Sequence, residues 1–304
     1  MKYLITGGPR GWIAQKFAAF LSSPGGEAEL SAVNIADATA IEAELDRAKP
    51  EVLINTAGKT GGPTVSPSGQ PGRNIDWCED HKVETLTSNV VGPVELVKAC
   101  KARNIKLVHL SSGCIFQGRG HLASGFREDD AVAPPSFYSW TKYWADQYLM
   151  QAWPEGTLIL RLRMPTDAEP GPRNLITKLA GYPKIIDVEN SLTVIPDLLA
   201  ATKQLIAQGA VGIYHVTNPG SVTHREIMGL YQKLVDPGHT FEFISEAELY
   251  SLGLASTGRS NCILNVDKLL RAGVQMPPIK ERIREVMAEY AANLKRSQSV
   301  PAQA

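Results

Sequence analysis

The chain has 304 residues, 43% of them hydrophobic, and its 31 Lys and Arg balance 31 Asp and Glu. A net charge of zero argues against a nucleic-acid partner, which needs a basic surface to displace counterions from phosphates. The sequence has no apolar stretch near the roughly 20 residues of a membrane helix, and its first apolar run is too short for a signal peptide. The four cysteines lack the spacing and density of a disulfide framework. We therefore expect a cytoplasmic, reduced protein with no membrane partner.

Short β-branched and aliphatic runs alternate with helical patterns, which predicts βαβ units around a parallel sheet. The predicted strands cover residues 3–6, 52–55, 107–110, 157–162 and 211–216, and the predicted helices cover residues 40–48, 83–102 and 139–151. We expect an α/β fold, namely a Rossmann-type doubly wound parallel sheet with a smaller C-terminal substrate-binding region.

The segments between these elements suggest how the chain divides. The regular rhythm stops at residues 168–173. Residues 1–165 are therefore predicted to form the dinucleotide-binding Rossmann domain. Residues 166–304 are predicted to be mainly the substrate-binding region, with a late strand and helix returning to the core. Residues 61–72 are rich in Gly, Pro and Ser, which predicts an irregular surface loop. The last helix is predicted at residues 279–294, with a frayed tail at 296–304.

A glycine-rich turn follows the first predicted strand and opens a helix, with the sequence Gly8-Pro9-Arg10-Gly11-Trp12-Ile13-Ala14. Glycine permits a sharp turn and lets a pyrophosphate approach main-chain N–H groups at the positive end of a helix. An ordinary strand-to-helix turn is the alternative, but the place after the first strand favours a dinucleotide. The expected cofactor contacts are Gly8, Arg10, Gly11, Trp12 and Ile13.

Two further segments extend this prediction. Asn55, Ala57 and Gly58 end a later strand, at the edge where open α/β sheets bind ligands, although a plain tight turn has the same composition. Asp37 is a candidate adenine contact or, equally, a helix N-cap. Arg10 is the candidate contact for a 2′-phosphate, whereas the segment after the presumed second strand has no basic residue. NADP(H) is the preferred cofactor, and NAD(H) stays open.

A second motif supplies acid–base chemistry. Tyr138 and Lys142 form Y-x-x-x-K, and residues four apart share one face of a helix. An ammonium there is expected to lower the pKa of the phenol towards working pH, so that the phenol protonates a carbonyl oxygen as hydride reaches its carbon. Ser112 closes the strand at residues 107–110, where its hydroxyl can hold the substrate oxygen. The order of loop, strand end and Y-x-x-x-K favours this set over a surface tyrosine with a solvated lysine.

Several longer sequence segments resemble those of a known superfamily. They lie at residues 8–14, 74–79, 81–85, 89–92, 113–116, 136–138, 161–165, 173–178, 217–220 and 259–261. With them the chain resembles the extended short-chain dehydrogenase/reductase superfamily, and within it the nucleotide-sugar 4-ketoreductases. It is similar above all to the bifunctional 3,5-epimerase/4-reductases of UDP-rhamnose synthesis. The strings D-W-C-E-x-H-K and R-N-x-I-T-K are the most specific part of this resemblance, which spans nearly the whole chain.

The resemblance implies roles for single residues. Ser112, Tyr138 and Lys142 match the catalytic triad, and Asn89 matches the helix asparagine of the proton relay. Protons next to a C4 ketone are acidic enough for a positioned base to remove. Cys114 and Lys178 are therefore the expected acid–base pair for epimerisation at C3 and C5, and the same cysteine position serves epimerisation in the similar GDP-fucose synthases. A small core residue and a diphosphate contact are the alternatives for the pair. Residues 64–72 look like an insertion relative to the family.

Other reactions fit the motifs less well. A 4,6-dehydratase needs a carboxylate after the triad hydroxyl, where this chain has Gly113 and Cys114. A simple 4-epimerase would retain its NAD, a plain dTDP-4-dehydrorhamnose-type reductase would lack the epimerase step, and a non-catalytic dinucleotide-binding subunit would not need Tyr138 and Lys142.

Substrate and partner predictions complete the sequence-based picture. The expected substrate is a UDP- or dTDP-linked sugar, with contacts to Trp77, Asn174, Lys178 and Arg259. Solvated or packing roles are the alternatives for each of these residues. The histidines, among them His81, His109, His215 and His224, are scattered without zinc spacing and are interpreted as structural, so no metal is expected. A homodimer is possible.

Overall fold

The computed structural model describes residues 1–22, 26–65, 71–120 and 124–299. Its strands are β1 Lys2–Thr6, β2 Glu27–Ser31, β3 Val52–Asn55, β4 Gly62–Val65, β5 Pro71–Asn74, β6 Lys106–Ser112, β7 Thr157–Leu162, β8 Pro165–Thr166, β9 Lys184–Ile186, β10 Glu189–Asn190, β11 Thr193–Val194, β12 Gly212–His215, β13 Val222–Thr223 and β14 Glu242–Ile244. Its helices are α1 Trp12–Leu21, α2 Ala38–Ala48, α3 Trp77–Asp80, α4 Lys82–Leu86, α5 Gly92–Arg103, α6 Phe137–Ala152, α7 Leu175–Ala180, α8 Ile195–Ala207, α9 His224–Leu234, α10 Glu246–Ser251, α11 Asp267–Arg271 and α12 Ile279–Ser299.

The main sheet has six strands in the order β12-β7-β6-β3-β1-β2, and every neighbouring pair is parallel. The chain runs from β1 to β2 on one side and then crosses to β3 on the other side of β1. Such a reversal opens a crevice at the carboxyl ends of the strands. The predicted doubly wound α/β fold is confirmed, and the turns after β1, β3 and β6 all lie at this one edge.

Side-chain alternation explains why helices cover both faces of the sheet. On one face, Ile5 packs in a cluster with residues of α1 and α8, such as Phe17 and Leu198. On the other face, Leu4 packs in a cluster with residues of α2 and α5, such as Leu45 and Leu96. Strands buried on both faces read as continuous apolar runs, which is typical of parallel sheets.

The later part of the chain has its own apolar cluster, formed by residues of α7, α9 and α12 with the short strand β9. The strand β12 and helix α8 belong instead to the main sheet and its first cluster. None of the helices in the described part of the chain combines the length and hydropathy that a membrane crossing requires.

Three sequence predictions need correction. Residues 62–65 and 71–74 of the predicted irregular loop pair as an antiparallel hairpin with Gly62 opposite Asn74, and residues 66–70 lie outside the described residues. Gly61, at φ +129°, allows the chain before β4 to pass close to Asn74 at the end of β5. A side chain would not fit here, because a Cβ on residue 61 would lie 2.1 Å from the Asn74 oxygen. The predicted frayed tail begins too early, because α12 continues to Ser299, whereas residues 300–304 lie outside the described residues. The helix expected over 83–102 is divided by a π-helical turn, Thr87–Val91.

Candidate active site

The glycine-rich turn between β1 and α1 has the geometry that a dinucleotide requires. Gly7 and Gly8 have φ of +122° and +74°, which side-chain-bearing residues adopt at a cost. Gly11 is the N-cap of α1, and a Cβ there would lie 2.7 Å from the Gly7 oxygen. Helix α1 has no acidic residue in its first turn and no side chain capping its N–H groups. These donors at the positive end of the helix fit a pyrophosphate.

The other predicted cofactor contacts near this turn differ in their surroundings. Arg10 is exposed beside the turn. Trp12 and Ile13 begin α1 and pack partly against the core. Asp37 caps α2, because its Oδ1 accepts a hydrogen bond from the Ala40 N–H at 3.0 Å. Of the two interpretations left open for Asp37, the N-cap is the one observed.

Asn55 shapes the second turn at this edge. It is fully buried, and its Oδ1 accepts from the Thr6 hydroxyl at 2.7 Å and from the Ala57 N–H at 3.0 Å. Its Nδ2 lies 2.9 Å from His109 Nδ1. Because both the oxygen and the nitrogen of the Asn55 amide have partners within the protein, the side chain is fixed and orients the Ala57–Gly58 backbone. Gly58 is exposed to solvent.

The structure brings Ser112, Tyr138 and Lys142 together at the same edge. Ser112 ends β6, and Tyr138 and Lys142 occupy successive turns of α6. The Ser136 hydroxyl starts this helix by accepting from the Ser139 N–H at 3.2 Å. All three predicted catalytic side chains are buried, at 7%, 7% and 5% exposure.

The electrostatics of Tyr138 differ from the sequence expectation. Lys142 was expected to lower the pKa of this phenol. Burial instead raises the pKa of Tyr138, and the neighbouring Cys114 adds to the rise, whereas a hydrogen bond with Ser112 opposes it. The physical reason is that removing a phenolate from water costs more than the nearby groups return. Tyr138 is therefore held as a protonated phenol at neutral pH.

A buried network lies beneath Lys142. Its Nζ donates to the Leu110 carbonyl oxygen at 2.9 Å and lies 3.4 Å from His109 Nε2. Burial lowers the pKa of Lys142 to about 8. Burial and the charge of Lys142 hold the pKa of His109 well below its usual value, so this histidine is neutral. His109 connects Lys142 to Asn55, a part of the site that sequence reasoning missed because a lone histidine in a strand carries no motif.

Asn89, the expected relay residue, lies in the π-helical turn. Its Oδ1 accepts from the Lys59 N–H at 2.7 Å, and its Nδ2 donates to the Lys59 carbonyl and the Thr141 hydroxyl at 2.9 and 3.1 Å. It thus ties the loop after β3 to helix α6 next to Lys142.

Cys114 lies beside the triad in the 3₁₀ turn Gly113–Ile115 that follows β6. Its N–H donates to the Ser112 hydroxyl oxygen at 3.1 Å, and its sulfur accepts from Arg163 Nη1 at 2.9 Å. Arg163, which directly follows β7, was not singled out from the sequence as a site residue. A signal was available, because a second arginine at the end of an apolar strand needs a partner in the core. Lys178 is half-buried on α7, and burial with the nearby Arg173 lowers its pKa.

The remaining predicted substrate residues have internal partners. The Trp77 ring stacks on His81 with centroids 3.9 Å apart. The Arg259 guanidinium makes a two-point contact with Asp76 at 2.8 and 2.7 Å. Asn174 is fully buried, caps α7 and donates to two backbone carbonyls. Asn174 therefore has the geometry of a helix cap, with its amide used within the protein.

The chain matches the family model described as RmlD substrate binding domain over residues 1–291. The chain belongs to the RmlD family. It is 34% identical over 288 residues to the Bifunctional dTDP-4-dehydrorhamnose 3,5-epimerase/dTDP-4-dehydrorhamnose reductase of Arabidopsis thaliana, covering 93% of this chain and 91% of that protein. The resemblance inferred from the sequence is confirmed.

Solved structures agree with this membership. The L780 UDP-rhamnose synthase from Acanthamoeba polyphaga mimivirus matches with a TM-score of 0.85 and 32% identity, over 95% of this chain and 99% of that chain. The dTDP-4-dehydrorhamnose reductase from Bacillus anthracis, solved in complex with NADP, matches with a TM-score of 0.78 and 19% identity over 95% and 98% of the two chains. The second match shows that this chain and the Bacillus anthracis enzyme share the same fold. Within the described residues of this member, His, Cys, Asp and Glu form no group of three that suits a metal ion.

Proposed function

We propose that this RmlD family member reduces the C4 ketone of a 4-keto-6-deoxyhexose nucleotide and also epimerises C3 and C5, which yields UDP- or dTDP-rhamnose. One observation carries the proposal. The triad Ser112, Tyr138 and Lys142 and the thiol of Cys114 share the sheet edge that holds the glycine-rich turn. The activities of the Arabidopsis and mimivirus relatives support both the reaction and the sugar.

The reduction follows from the states of the side chains. A bound nicotinamide dinucleotide would supply the hydride. Tyr138 is the proton donor, because its raised pKa keeps the phenol protonated until negative charge develops on the C4 oxygen. Ser112 orients that oxygen from the end of β6. Lys142, held in place by Leu110 and His109, supplies positive charge as the phenol loses its proton.

The glycine-rich turn is the proposed cofactor site. The N–H groups of Trp12 and Ile13 would hold the pyrophosphate, whereas the Gly11 N–H donates to the Gly8 carbonyl at 3.0 Å. Gly8 leaves space for the cofactor, since a Cβ at this position would meet nothing within 4 Å. Arg10 is the proposed contact for a 2′-phosphate, which makes NADP(H) the preferred cofactor. Ala57 and Gly58 would border the nicotinamide half.

Epimerisation is assigned to Cys114 and Lys178. Each inversion needs a base on one face of the sugar and an acid on the other. Cys114 lies next to the groups that would hold the C4 oxygen. The lowered pKa of Lys178 makes its ammonium a better proton donor near neutral pH. Trp77 is a proposed wall of the sugar pocket. Arg259 is a proposed neighbour of the diphosphate, with its guanidinium paired to Asp76 within the protein.

The test supplies UDP- and dTDP-4-keto-6-deoxyglucose with NADPH in deuterated water and identifies the product by NMR. The wild type should give a rhamnose nucleotide carrying deuterium at C3 and C5. Cys114→Ser and Lys178→Met should lose deuterium or yield an uninverted 6-deoxyhexose. Reduction without exchange in the wild type would contradict the epimerase step and leave a plain 4-reductase. Absence of any NADPH oxidation would contradict the reductase itself.

A further inference from the structure

Residues 256–260, which we call the strap, lie against the start of α6 and the turn after β6. Gly258 packs so closely there that a Cβ on it would lie 2.6 Å from the Pro135 oxygen. The Ser260 hydroxyl donates to the Phe116 carbonyl oxygen at 2.6 Å. The strap therefore contacts the two segments, before α6 and after β6, that carry the proposed catalytic hydroxyls.

Two carboxylates at α3 hold the strap. Asp76 accepts hydrogen bonds from the Ser256 and Thr257 N–H groups at 3.3 and 3.0 Å. The same carboxylate makes the two-point contact with Arg259. Burial acts to raise the pKa of Asp76, but the Arg259 guanidinium and the two N–H groups outweigh it and lower the pKa. Glu79 Oε1 accepts from the Thr257 hydroxyl at 2.9 Å, so both acidic residues of the D-W-C-E string bind the strap.

The same oxygen of Glu79 also reaches the first turn of α6. It accepts from the Phe137 N–H at 2.7 Å, one of the N–H groups that a helix leaves without an internal partner at its N-terminus. The Ser136 hydroxyl takes the Ser139 N–H, and α6 has no acidic residue in its own first turn. Glu79 therefore supplies, from α3, the carboxylate that the positive end of this helix favours.

Tyr138 directly follows Phe137, so the first turn of α6 sets where the phenol lies. We infer that Glu79 is a positioning residue for Tyr138, which it ties to the strap through one carboxylate oxygen. The inference rests on the proposed function, in which Arg259 of the strap lies near the diphosphate and Tyr138 protonates the C4 oxygen. Glu79 then keeps these two ends of the substrate site at a fixed separation. A misplacement of about 1 Å can lower a rate by about a hundredfold.

The kinetic test compares Glu79→Met with Glu79→Gln in NADPH oxidation driven by UDP- or dTDP-4-keto-6-deoxyglucose. Methionine keeps the length of the side chain but has no oxygen, whereas the amide oxygen of glutamine accepts from both donors. We expect kcat to fall at least about tenfold in Glu79→Met, with the Kd of NADPH within about twofold of the wild type. Glu79→Gln should keep kcat within about threefold of the wild type. Glu84→Met, at an exposed glutamate of α4, is the matched control.

Thr257→Val tests the tie to the strap, because valine keeps the shape of threonine but cannot donate to Glu79. This variant should lower kcat by about threefold or more. The double variant of Glu79→Met and Thr257→Val should be no slower than Glu79→Met alone, because both changes remove the same link. A double variant whose loss equals the product of the two single losses would separate Glu79 from the strap and overturn the inference.

Site-resolved amide hydrogen exchange reads the same link without substrate. The Phe137 amide should exchange about tenfold faster in Glu79→Met, and the Ser139 amide, which Ser136 caps, should change less. Thr257→Val should raise the exchange of Phe137 to a smaller extent, and it decides the matter if Glu79→Met does not fold.

Unchanged exchange at Phe137 in both variants would overturn the inference. So would a wild-type kcat in Glu79→Met, or equal losses of kcat in Glu79→Met and Glu79→Gln. A wild type that oxidises no NADPH with either keto-sugar nucleotide, combined with faster exchange at Phe137 in the variants, would uphold the tie between α6 and the strap. That combination would contradict the proposed function instead.

Discussion

Replacing Lys142 by Met should stabilise the protein in a pH-dependent way while it removes activity. Burial lowers the pKa of this ammonium to about 8 from its usual 10.5. The folded state therefore disfavours the charged form, whereas the unfolded chain does not. Below about pH 8 the whole cost is present, and it is relieved as the pH rises from about 8 to 10.5, where the folded lysine is neutral.

The size of the effect follows from the same values. The two pKa values differ by about 2.5 pH units, and each unit corresponds to about 1.36 kcal/mol, so the buried charge costs about 3 kcal/mol at neutral pH. The substitution also removes the contacts of Nζ with Leu110 and His109. That loss is nearly independent of pH above neutrality, so the change with pH isolates the charge.

The assay is urea denaturation of the wild type and Lys142→Met at several values between about pH 7 and 10.5. The free energy of unfolding of the wild type, relative to the variant, should rise by about 3 kcal/mol over this range. Lys233→Met, at an exposed lysine of α9, is the matched control and should show no such trend. A flat difference for Lys142→Met, within about 0.5 kcal/mol, would refute the reasoning.

Three further predictions follow from the site and the core. Tyr138→Phe should keep the fold but reduce ketone reduction, followed as NADPH oxidation, by about a hundredfold or more, and near-full turnover would be incompatible with a donor role. Arg10→Ala should weaken NADPH much more than NADH in a fluorescence titration, and an equal loss for both would mean that Arg10 only supports the turn. Asp146→Asn leaves Arg161 buried without its partner and should lower the free energy of unfolding by about 3–5 kcal/mol in urea, so a loss below about 1 kcal/mol would speak against this account.

The sequence identified the proposed catalytic set because the motif that defines it is local. Tyr138 and Lys142 are one helical turn apart, and Ser112 ends a strand, so their shared edge follows from the parallel arrangement alone. The glycine turn is equally local, since its φ values restrict the residue type at each position.

Sequence reasoning did less well where long-range contacts decide. The strands β4 and β5 lie in a Gly- and Pro-rich stretch, and only the pairing of residues 62–65 with residues 71–74 makes them regular. Asn174 lies in one of the most specific sequence segments, but its place at the N-terminus of α7 commits its amide to backbone groups.

The sequence by itself therefore determined the α/β class, the sheet edge where the candidate site lies and the choice of its proposed acid–base groups, because periodicity and short motifs record local geometry. Only the tertiary structure decided the charge states of those groups. The high pKa of Tyr138, the lowered pKa of Lys142 and the contact between Cys114 and Arg163 all depend on how far each group lies from water and on neighbours distant in the chain. Desolvation and Coulomb energy depend on these distances, which no local pattern of residues contains.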